Sequence, residues 1–397
     1  MFVLYASLPV LLVVAAVLAL ARLAAPRGGT TTYLNSLEHL VQRMESCLGR
    51  FSPAMLFSTL LMGLAGLYVR PATHCTHNGC LYVWLSQNPF AVHTDVAFPY
   101  RILTPLISYL LGLRGQLILV TNLLFSTLLI ALTYLYYRTQ AARPLDALVG
   151  AAAVTFSMTT LSSIYYGGYC DALTYVLVFL MWQCRRRRLL SYVLFLLGMF
   201  NRESMLFLLP WFMYLNFVEG EKRWRRLRWD ILGFGVALAL YVLFRMWIAS
   251  RQEVVFSLAY YLDPVLKRPL AWFFSSYPQC LLGLFSVFKL LWLFPIAAAI
   301  SMWRNGEKSG VVSMIILTAC ASSQLLVAAD SSRMLSLGFL LIVISLEHLF
   351  RVNPWKIRSW MGWVLMANLF VPQLYTAAHI IELMRPLISQ IIQPMPY

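Results

Sequence analysis

The segment QLILVTNLLFSTLLIALTYLYY, residues 116–137, contains no charged side chain. The hydrocarbon core of a bilayer is about 30 Å thick, and about 20 residues of α-helix cross it. Apolar runs of similar character recur along the whole chain. They occupy residues 2–21, 54–70, 146–165, 170–184, 230–249, 279–302, 310–328, 334–350 and 358–377. This pattern predicts an all-α, polytopic transmembrane helical bundle.

Composition indicates the same class. Apolar residues make up 60% of the 397 residues, charged residues make up 12%, and the mean hydropathy is +0.72. The apolar runs are much longer than the strands of an outer-membrane barrel. Two shorter runs, 189–200 and 204–217, meet at Asn201, Arg202 and Glu203 and predict a short hairpin. Counting the hairpin as two crossings, we expect a single integral membrane domain over residues 1–397 with about twelve spans.

Five groups of basic residues predict the orientation, because short loops rich in Lys and Arg stay cytoplasmic. If the spans alternate from an outside N-terminus, all five groups fall on one face. The groups are Arg138 with Arg143, Arg185 to Arg188, Lys222 to Arg228, Arg304 with Lys308, and Arg351 with Lys356 and Arg358. Topology and attraction to anionic lipid then explain most of the net charge of +16. Nucleic-acid binding is not expected, because the basic residues form no domain.

The N-terminal part of the chain predicts an anchor and a surface helix. No basic residue precedes the run 2–21, whereas Arg22 and Arg27 follow it, which favours a retained span over a cleaved signal. Residues 30–50 place apolar side chains at helical spacing, with Glu38 and Glu45 on the other side, and predict an amphipathic helix on the inner surface. We expect a multi-pass protein of a bacterial inner membrane with both termini outside; the endoplasmic reticulum is the less favoured alternative.

Four acidic residues are predicted at the outer ends of different apolar segments, each with polar neighbours. The sets are Asp95 with Arg101, Asp171 with the preceding Tyr165 to Tyr169 segment, Glu203 with Arg202, and Asp330 with Arg333. Ionisable groups at membrane depth are costly and usually face a bundle interior or a water-filled cavity. We therefore expect one external polar cavity lined from four places. The alternative is that each set is a private salt bridge or, for Asp171 and Asp330, a helix cap.

The segment AVHTDVAFPYRILTP, residues 91–105, closes the first large external loop. Residues 101–115 are apolar between two arginines and too short to span, so they predict a helix along the outer interface, with Arg101 and Arg114 among the headgroups. We assign residues 71–114 to the loop and this helix. Interfacial arginines suit phosphate, because a guanidinium can bind two of its oxygens at once. The short hairpin at residues 189–217 would form the floor of the cavity, because its turn lies below the membrane surface.

At this point the layout resembles the GT-C superfamily of polyprenyl-phosphate-dependent glycosyltransferases. The first-loop aspartate, the interfacial helix, the short hairpin and the outer acids carry the resemblance. In addition, FPYRILTP, GGYCDALTY, FNRES and AADSSRMLSLGF are similar to segments of uncharacterised multi-spanning bacterial proteins near that superfamily. The resemblance covers roughly residues 71–339. It implies transfer of a sugar from a lipid phosphate to an acceptor on the non-cytoplasmic face.

The resemblance also implies roles for individual residues. Asp95 matches the first-loop aspartate that acts as general base on the acceptor hydroxyl. Arg101, Arg202 and Arg333 are the candidates for the lipid phosphate. Asp171 and Glu203 are candidates for sugar hydroxyls or for a second acid, and Asp330 is a further substrate-binding candidate. The residues themselves suggest an aromatic floor for the sugar at Tyr165, Tyr166 and Tyr169. The first loop lacks the adjacent acidic pair of better-known members, and we see no external domain after the last predicted span, so the donor sugar and the acceptor are not predicted.

The first loop also contains the sequence THCTHNGC, residues 73–80. Cys75 and Cys80 could form a disulfide in an oxidising exterior, or remain unpaired, or bind zinc with His74 and His77. The spacing matches no common zinc signature. We assign no metal ligand; a divalent metal stays an option as cofactor.

Two other functions stay open. A transporter or flippase needs polar residues through both leaflets, and Lys289 and Arg245 are the charged residues that would suit it. A non-catalytic membrane subunit would use the outer acids as docking points for protein partners. The predicted ligands are membrane lipids and the polyprenyl-phosphate-linked sugar.

Overall fold

The computed structural model describes residues 30–76, 78–90, 99–140, 142–218, 223–251, 277–326, 330–352, 354–377 and 380–387. Within these ranges the chain is almost entirely helical. The first half contains α1 Thr30–Leu48, α2 Phe51–Tyr68, α3 Gly79–Gln87, α4 Leu103–Leu110, α5 Ile118–Thr139, α6 Pro144–Thr155, α7 Met158–Tyr165, α8 Asp171–Gln183 and α9 Arg188–Asn201. The predicted N-terminal span, residues 2–21, lies outside the described residues.

The second half continues the bundle and ends in a small hairpin. Its helices are α10 Leu209–Val218, α11 Arg223–Ala249, α12 Tyr277–Phe288, α13 Leu293–Arg304, α14 Lys308–Ser323, α15 Ser331–Leu335, α16 Leu340–Val352 and α17 Pro354–Phe370. Short 3-10 turns join several of them, among them Glu203–Leu208 and Lys289–Trp292. Strands β1 Leu374–Ala377 and β2 Ile380–Leu383 pair antiparallel.

Five helical stretches in the described ranges are long and apolar enough to cross a membrane. A sixth results if α6 and α7, which meet at an angle of 52°, count as one broken crossing. Several of these helices expose large apolar side chains; on α11 these include Leu232, Val236, Leu240 and Leu243. Such a surface is stable in contact with lipid. The prediction of a helical membrane protein is confirmed, whereas the count of about twelve spans is not.

The structure differs from the sequence prediction in three local features. The last predicted span, 358–377, ends as a helix at Phe370 and continues into β1, because Pro372 cannot extend the helix. The predicted loop 71–100 contains helix α3. The predicted helix at residues 101–115 is shorter, with α4 covering only Leu103–Leu110.

Helix α1 packs against the bundle through a charged contact. Glu45 accepts hydrogen bonds from Arg138 Nε at 2.7 Å and from the Tyr134 hydroxyl at 2.9 Å. The helical spacing predicts Glu45 on the polar face, away from the apolar side chains; the structure instead buries it together with Val41, one turn earlier. The Arg138 guanidinium makes this burial tolerable, because a paired charge costs much less to bury than a lone one.

The described members of the basic groups gather at one end of the bundle, which we call the basic end. Helices α8 and α9 are antiparallel neighbours with Arg185 to Arg188 at their turn. The Tyr192 hydroxyl of α9 donates to the Trp229 carbonyl at 3.2 Å, so α11 starts beside α9. Tyr136 near the end of α5 contacts the Trp182 ring at 4.8 Å. Ring nitrogen Nε2 of His348 lies 3.0 Å from the Ser301 hydroxyl, which brings the ends of α13 and α16 together.

Candidate functional site

The predicted outer acids and arginines meet at the end of the bundle opposite the basic end. Asp171 is the first residue of α8, where a carboxylate is favoured by the helix dipole. Its Oδ1 forms an ion pair with Arg202, which follows α9, and its Oδ2 lies 3.2 Å from Nε of Arg333 on α15. All three side chains are buried. Asp171 therefore joins three separate elements through charge.

Arg333 extends this network to Asp330. Nη2 of Arg333 lies 2.8 Å from Oδ2 of Asp330, and its guanidinium lies 3.7 Å from the centre of the Tyr169 ring. Stacking on an aromatic face suits the planar guanidinium. Asp330 precedes α15 but makes no side-chain capping hydrogen bond. Its carboxylate therefore serves the ion-pair network, and the capping interpretation does not hold for it.

A second set of charges lies around Glu203 and is more exposed. Arg101 Nε donates to Glu203 Oε2 at 2.8 Å, and Arg101 Nη1 donates to the Tyr82 hydroxyl at 2.9 Å. Nη1 of Arg245 lies 3.9 Å from Glu203 Oε1, and its guanidinium lies 4.2 Å above the Tyr100 ring. Burial opposes the charged form of Arg101, but the nearby Glu203 outweighs it and raises the pKa of the guanidinium well above its ordinary value.

The partners differ from those that the sequence suggested. Arg202 and Glu203 do not pair with each other: Arg202 pairs with Asp171, and Glu203 pairs with Arg101. Arg202 has extended backbone (φ −163°, ψ 129°), and successive residues of an extended chain point in opposite directions. Arg101 likewise faces Glu203 and Tyr82; its place among the lipid headgroups stays a prediction.

Asn201 is a site residue that the sequence predicts only as part of the turn of the short hairpin. It is completely buried at the end of α9. Its Oδ1 accepts from the Thr104 amide at 3.2 Å and hydroxyl at 2.7 Å, and its Nδ2 donates to the Cys170 carbonyl at 2.7 Å and the Thr174 hydroxyl at 2.8 Å. One amide thus ties α4, α8 and α9 together between the two charged sets. The signal in the sequence was a polar residue between the two apolar arms of the predicted hairpin.

Asp95, the predicted general base, lies outside the described residues. The described chain resumes at Pro99 and enters the site at once, because Tyr100 lies under Arg245 and Arg101 pairs with Glu203. The segment that carries Asp95 is therefore joined covalently to the more exposed part of the site.

Tyr165 and Tyr166 do not form the open aromatic platform for a sugar that the sequence predicts. Their hydroxyls donate to Oε1 and Oε2 of Glu382 at 2.9 and 2.8 Å. The Tyr166 ring also packs 4.3 Å from the Tyr375 ring. These contacts fasten the β-hairpin to the segment that leads into Asp171. Glu382 was not among the predicted site residues.

The two cysteines of the first loop, Cys75 and Cys80, form a disulfide. This settles the three alternatives for the pair, because a disulfide leaves no thiolate for zinc. The loop lies directly on the Gly167–Gly168 turn: the Thr76 amide donates to the Gly167 carbonyl at 3.1 Å. A Cβ atom on Gly79 would lie 2.1 Å from the Gly167 carbonyl oxygen, and Gly168 has a φ of +92°. Only glycines allow this approach and this turn.

The disulfide loop touches both parts of the site. The Gly167–Gly168 turn leads through Tyr169 into Asp171, whereas Cys80 lies in the first turn of α3, which carries Tyr82. Tyr82 accepts from Arg101. The loop therefore holds the Asp171 set and the Glu203 set in a fixed relation.

Lys289, one of the two charged residues that suited a transporter, lies in the break between α12 and α13. It is 1% exposed and has a φ of +49°, in the left-handed region. Its Nζ donates to the Tyr68 hydroxyl at 3.0 Å and to the Val371 carbonyl at 3.1 Å. Tyr68 is the last residue of α2 and Val371 directly follows α17, so the ammonium group lies at the carboxyl ends of two helices, where a cation is favoured by the helix dipoles. The contacts assign Lys289 a structural role.

The charge balance of the site favours an anion. Among the described residues, four guanidinium groups (Arg101, Arg202, Arg245 and Arg333) face three carboxylates (Asp171, Glu203 and Asp330). Three buried atoms there, Asp171 Oδ2, Asp330 Oδ1 and Arg333 Nε, make no hydrogen bond within the described part of the chain, although Asp171 Oδ2 and Arg333 Nε lie 3.2 Å apart as an ion pair. Buried polar atoms are normally hydrogen-bonded, so this network retains capacity for one more polar group.

Comparison with known proteins adds no assignment. No protein-family model matches the chain, and no curated protein resembles it at a significant level.

Proposed function

We propose that this protein is a membrane glycosyltransferase of the GT-C type, which moves a sugar from a polyprenyl-phosphate donor to an acceptor. The observation that carries the proposal is the meeting of Arg101, Asp171, Glu203, Asp330 and Arg333 from separate segments at one end of an apolar bundle. Burying so many charges costs free energy, and proteins retain such clusters mainly where they handle a polar ligand.

The two charged sets suggest different roles. The Asp171, Arg202 and Arg333 network is buried and internally paired, so we assign it to holding the site in shape and setting its positive potential. Arg101, Glu203 and Arg245 keep 19%, 21% and 25% of their side-chain surface exposed. Arg101 and Arg245 can therefore reach the lipid phosphate, and Glu203 can accept from a sugar hydroxyl. Asp95 remains the proposed general base.

The proposal includes a topology. The basic end faces the cytoplasm and the charged cluster faces the other side, as the positive-inside rule requires. About twelve spans with both termini outside, in a bacterial inner membrane, are part of the same proposal. Labelling of single introduced cysteines at Arg187 and Arg251 with a membrane-impermeant reagent tests it: only the Arg251 position should react in intact cells.

Binding of the lipid phosphate tests the site without knowledge of the acceptor. The protein in nanodiscs is titrated with a polyprenyl phosphate and, as the matched uncharged ligand, with the corresponding polyprenol. We expect the phosphate to bind at least tenfold more tightly, and Arg101→Gln and Arg245→Gln each to weaken it about tenfold, since a charged hydrogen bond contributes about 1.5–3 kcal/mol. Arg304→Gln, at the basic end, is the control and should change nothing.

Transfer itself is tested with a labelled polyprenyl-phosphate sugar and a membrane extract as acceptor. Asp95→Asn should abolish transfer while binding of the polyprenyl phosphate is unchanged. A non-catalytic subunit predicts no transfer in the unmodified protein and impaired complex assembly in the variants. Equal binding of polyprenol and polyprenyl phosphate would remove the basis of the proposal.

A further inference from the structure

We propose that the groove between α9 and α11 at the basic end binds an anionic phospholipid, with an acyl chain along the groove and the phosphate at Arg188 and Arg226. The groove lies on the surface of the bundle, and its mouth, at Arg188 and Trp229, lies at the basic end, opposite the charged cluster. The proposal therefore does not depend on the proposed transferase activity. The apolar walls of the groove are formed by Leu189, Val193, Leu196, Leu232, Val236 and Leu240.

Gly233 makes the groove possible. A Cβ atom at this position would lie 2.3 Å from the Tyr192 ring, so glycine lets Tyr192 pack directly on α11. The Tyr192 hydroxyl donates to the Trp229 carbonyl and to Asp230 Oδ1 at 2.8 Å, and its ring packs 4.9 Å from Phe234. These contacts fix Tyr192 as the floor. The flanking side chains stand higher on both sides and form the walls.

The length of the groove fits one leaflet. Its lining residues on α11 run from Trp229 to Leu240, which corresponds to about 16 Å at 1.5 Å per residue. Half of a hydrocarbon core is about 15 Å. An acyl chain that starts at the basic end would therefore reach the end of the groove near the bilayer centre.

The charges at the mouth of the groove select the headgroup. Arg188 lines the groove, and Arg226 lies one helical turn before Asp230, the α11 residue whose carboxylate accepts from Tyr192. Arg225 and Arg228 are exposed on the same turn of α11. Asp230, an acid on the same helix, is completely buried and accepts a hydrogen bond from Tyr192. Basic pockets between membrane helices bind anionic headgroups in this way.

Trp229 completes the arrangement. It is 51% exposed and lines the groove at its basic end. Tryptophan is favoured at the level of the headgroups, where its ring is partly apolar and its N–H can donate. Its position sets the headgroup level beside Arg188, and it provides a reporter for lipid in the groove.

The experiment measures which lipid the full-length protein retains. The protein is equilibrated in detergent with equal amounts of phosphatidylglycerol and phosphatidylcholine, and bound lipid is measured by native mass spectrometry. We expect phosphatidylglycerol to be preferred about tenfold. The double variant Arg188→Gln and Arg226→Gln should lose the preference, whereas Arg304→Gln with Lys308→Gln, which removes two charges at the same end, should retain it.

Two further measurements place the lipid. The fluorescence of Trp229 is the difference between the emission of the unmodified protein and that of Trp229→Phe. Phosphatidylglycerol with brominated acyl chains should quench this fluorescence. The variant Arg188→Lys with Arg226→Lys keeps the charge and should keep the preference, which separates loss of charge from loss of folding. Equal retention of both lipids, or an unchanged preference in the double glutamine variant, would overturn the proposal.

Discussion

Nε of Arg333 lies 3.2 Å from Oδ2 of Asp171, although the two residues belong to helices far apart in the sequence. Asp171 also pairs with Arg202 through its other oxygen. The carboxylate thus lies between two buried guanidinium groups; it is the carboxylate that compensates Arg202, whereas Arg333 is also paired with Asp330. Removing one partner of a buried ion pair leaves an uncompensated charge.

Asp171→Asn should therefore lower the free energy of unfolding by about 3–5 kcal/mol. Thermal unfolding of the purified protein in detergent measures the change. Asp330→Asn is the matched control: Asp330 is more exposed and contacts one of the two guanidinium groups, so its loss should cost distinctly less. An Asp171→Asn variant as stable as Asp330→Asn would contradict the role assigned to Asp171.

Asn201→Leu should destabilise the protein by about 2–4 kcal/mol, because it leaves buried hydrogen-bonding groups of Thr104, Cys170 and Thr174 without partners. The chain offers a close control in Asn122. Asn122 is also buried, but its amide atoms make no hydrogen bond within the described residues. Asn122→Leu should therefore be neutral or stabilising. A comparable loss of stability in both variants would show that the change in side-chain size, and not the loss of hydrogen bonds, causes the destabilisation.

Replacing both Cys75 and Cys80 by Ser should lower stability by about 2 kcal/mol and weaken polyprenyl-phosphate binding, because the loop positions Tyr82 and the turn before Asp171. Unfolding with and without a reductant gives the first effect and titration gives the second. Cys184→Ser, at a free cysteine, is the control. Gly79→Ala should produce the same loss of binding with the disulfide intact, because its Cβ would collide with Gly167. Undiminished binding in both variants would contradict the positioning role.

Lys289→Met should destabilise the protein by about 2–3 kcal/mol, since the Val371 carbonyl and Tyr68 lose a charged donor. If the contact with Tyr68 is responsible, the effects of Lys289→Met and Tyr68→Phe should not add in a double-mutant cycle. Binding of polyprenyl phosphate, once corrected for folded protein, should not change. Additive losses would show that the two side chains act independently.

The sequence predicted which residue types form the candidate site and at which ends of the apolar segments they lie. Asp171, Arg202, Glu203, Asp330 and Arg333 all stand at junctions of apolar runs, and the structure brings them to one end of the bundle. Asn201 was visible only as a turn residue, because nothing in its neighbourhood shows that its amide would reach both α4 and α8. Glu382 was missed because it lies beyond the last predicted span, 358–377, and not at the end of an apolar run.

The sequence by itself determined the helical membrane class and the separation of the basic groups from the outer acids, because both follow from local composition and from the cost of placing charge in hydrocarbon. Only the tertiary structure decided which residues form ion pairs and hydrogen bonds with one another. Arg202 pairs with Asp171 instead of its neighbour Glu203, and Lys289 fastens two helix ends instead of lining a path. Such pairings depend on how distant helices are rotated and spaced, and a hydropathy pattern does not specify these quantities.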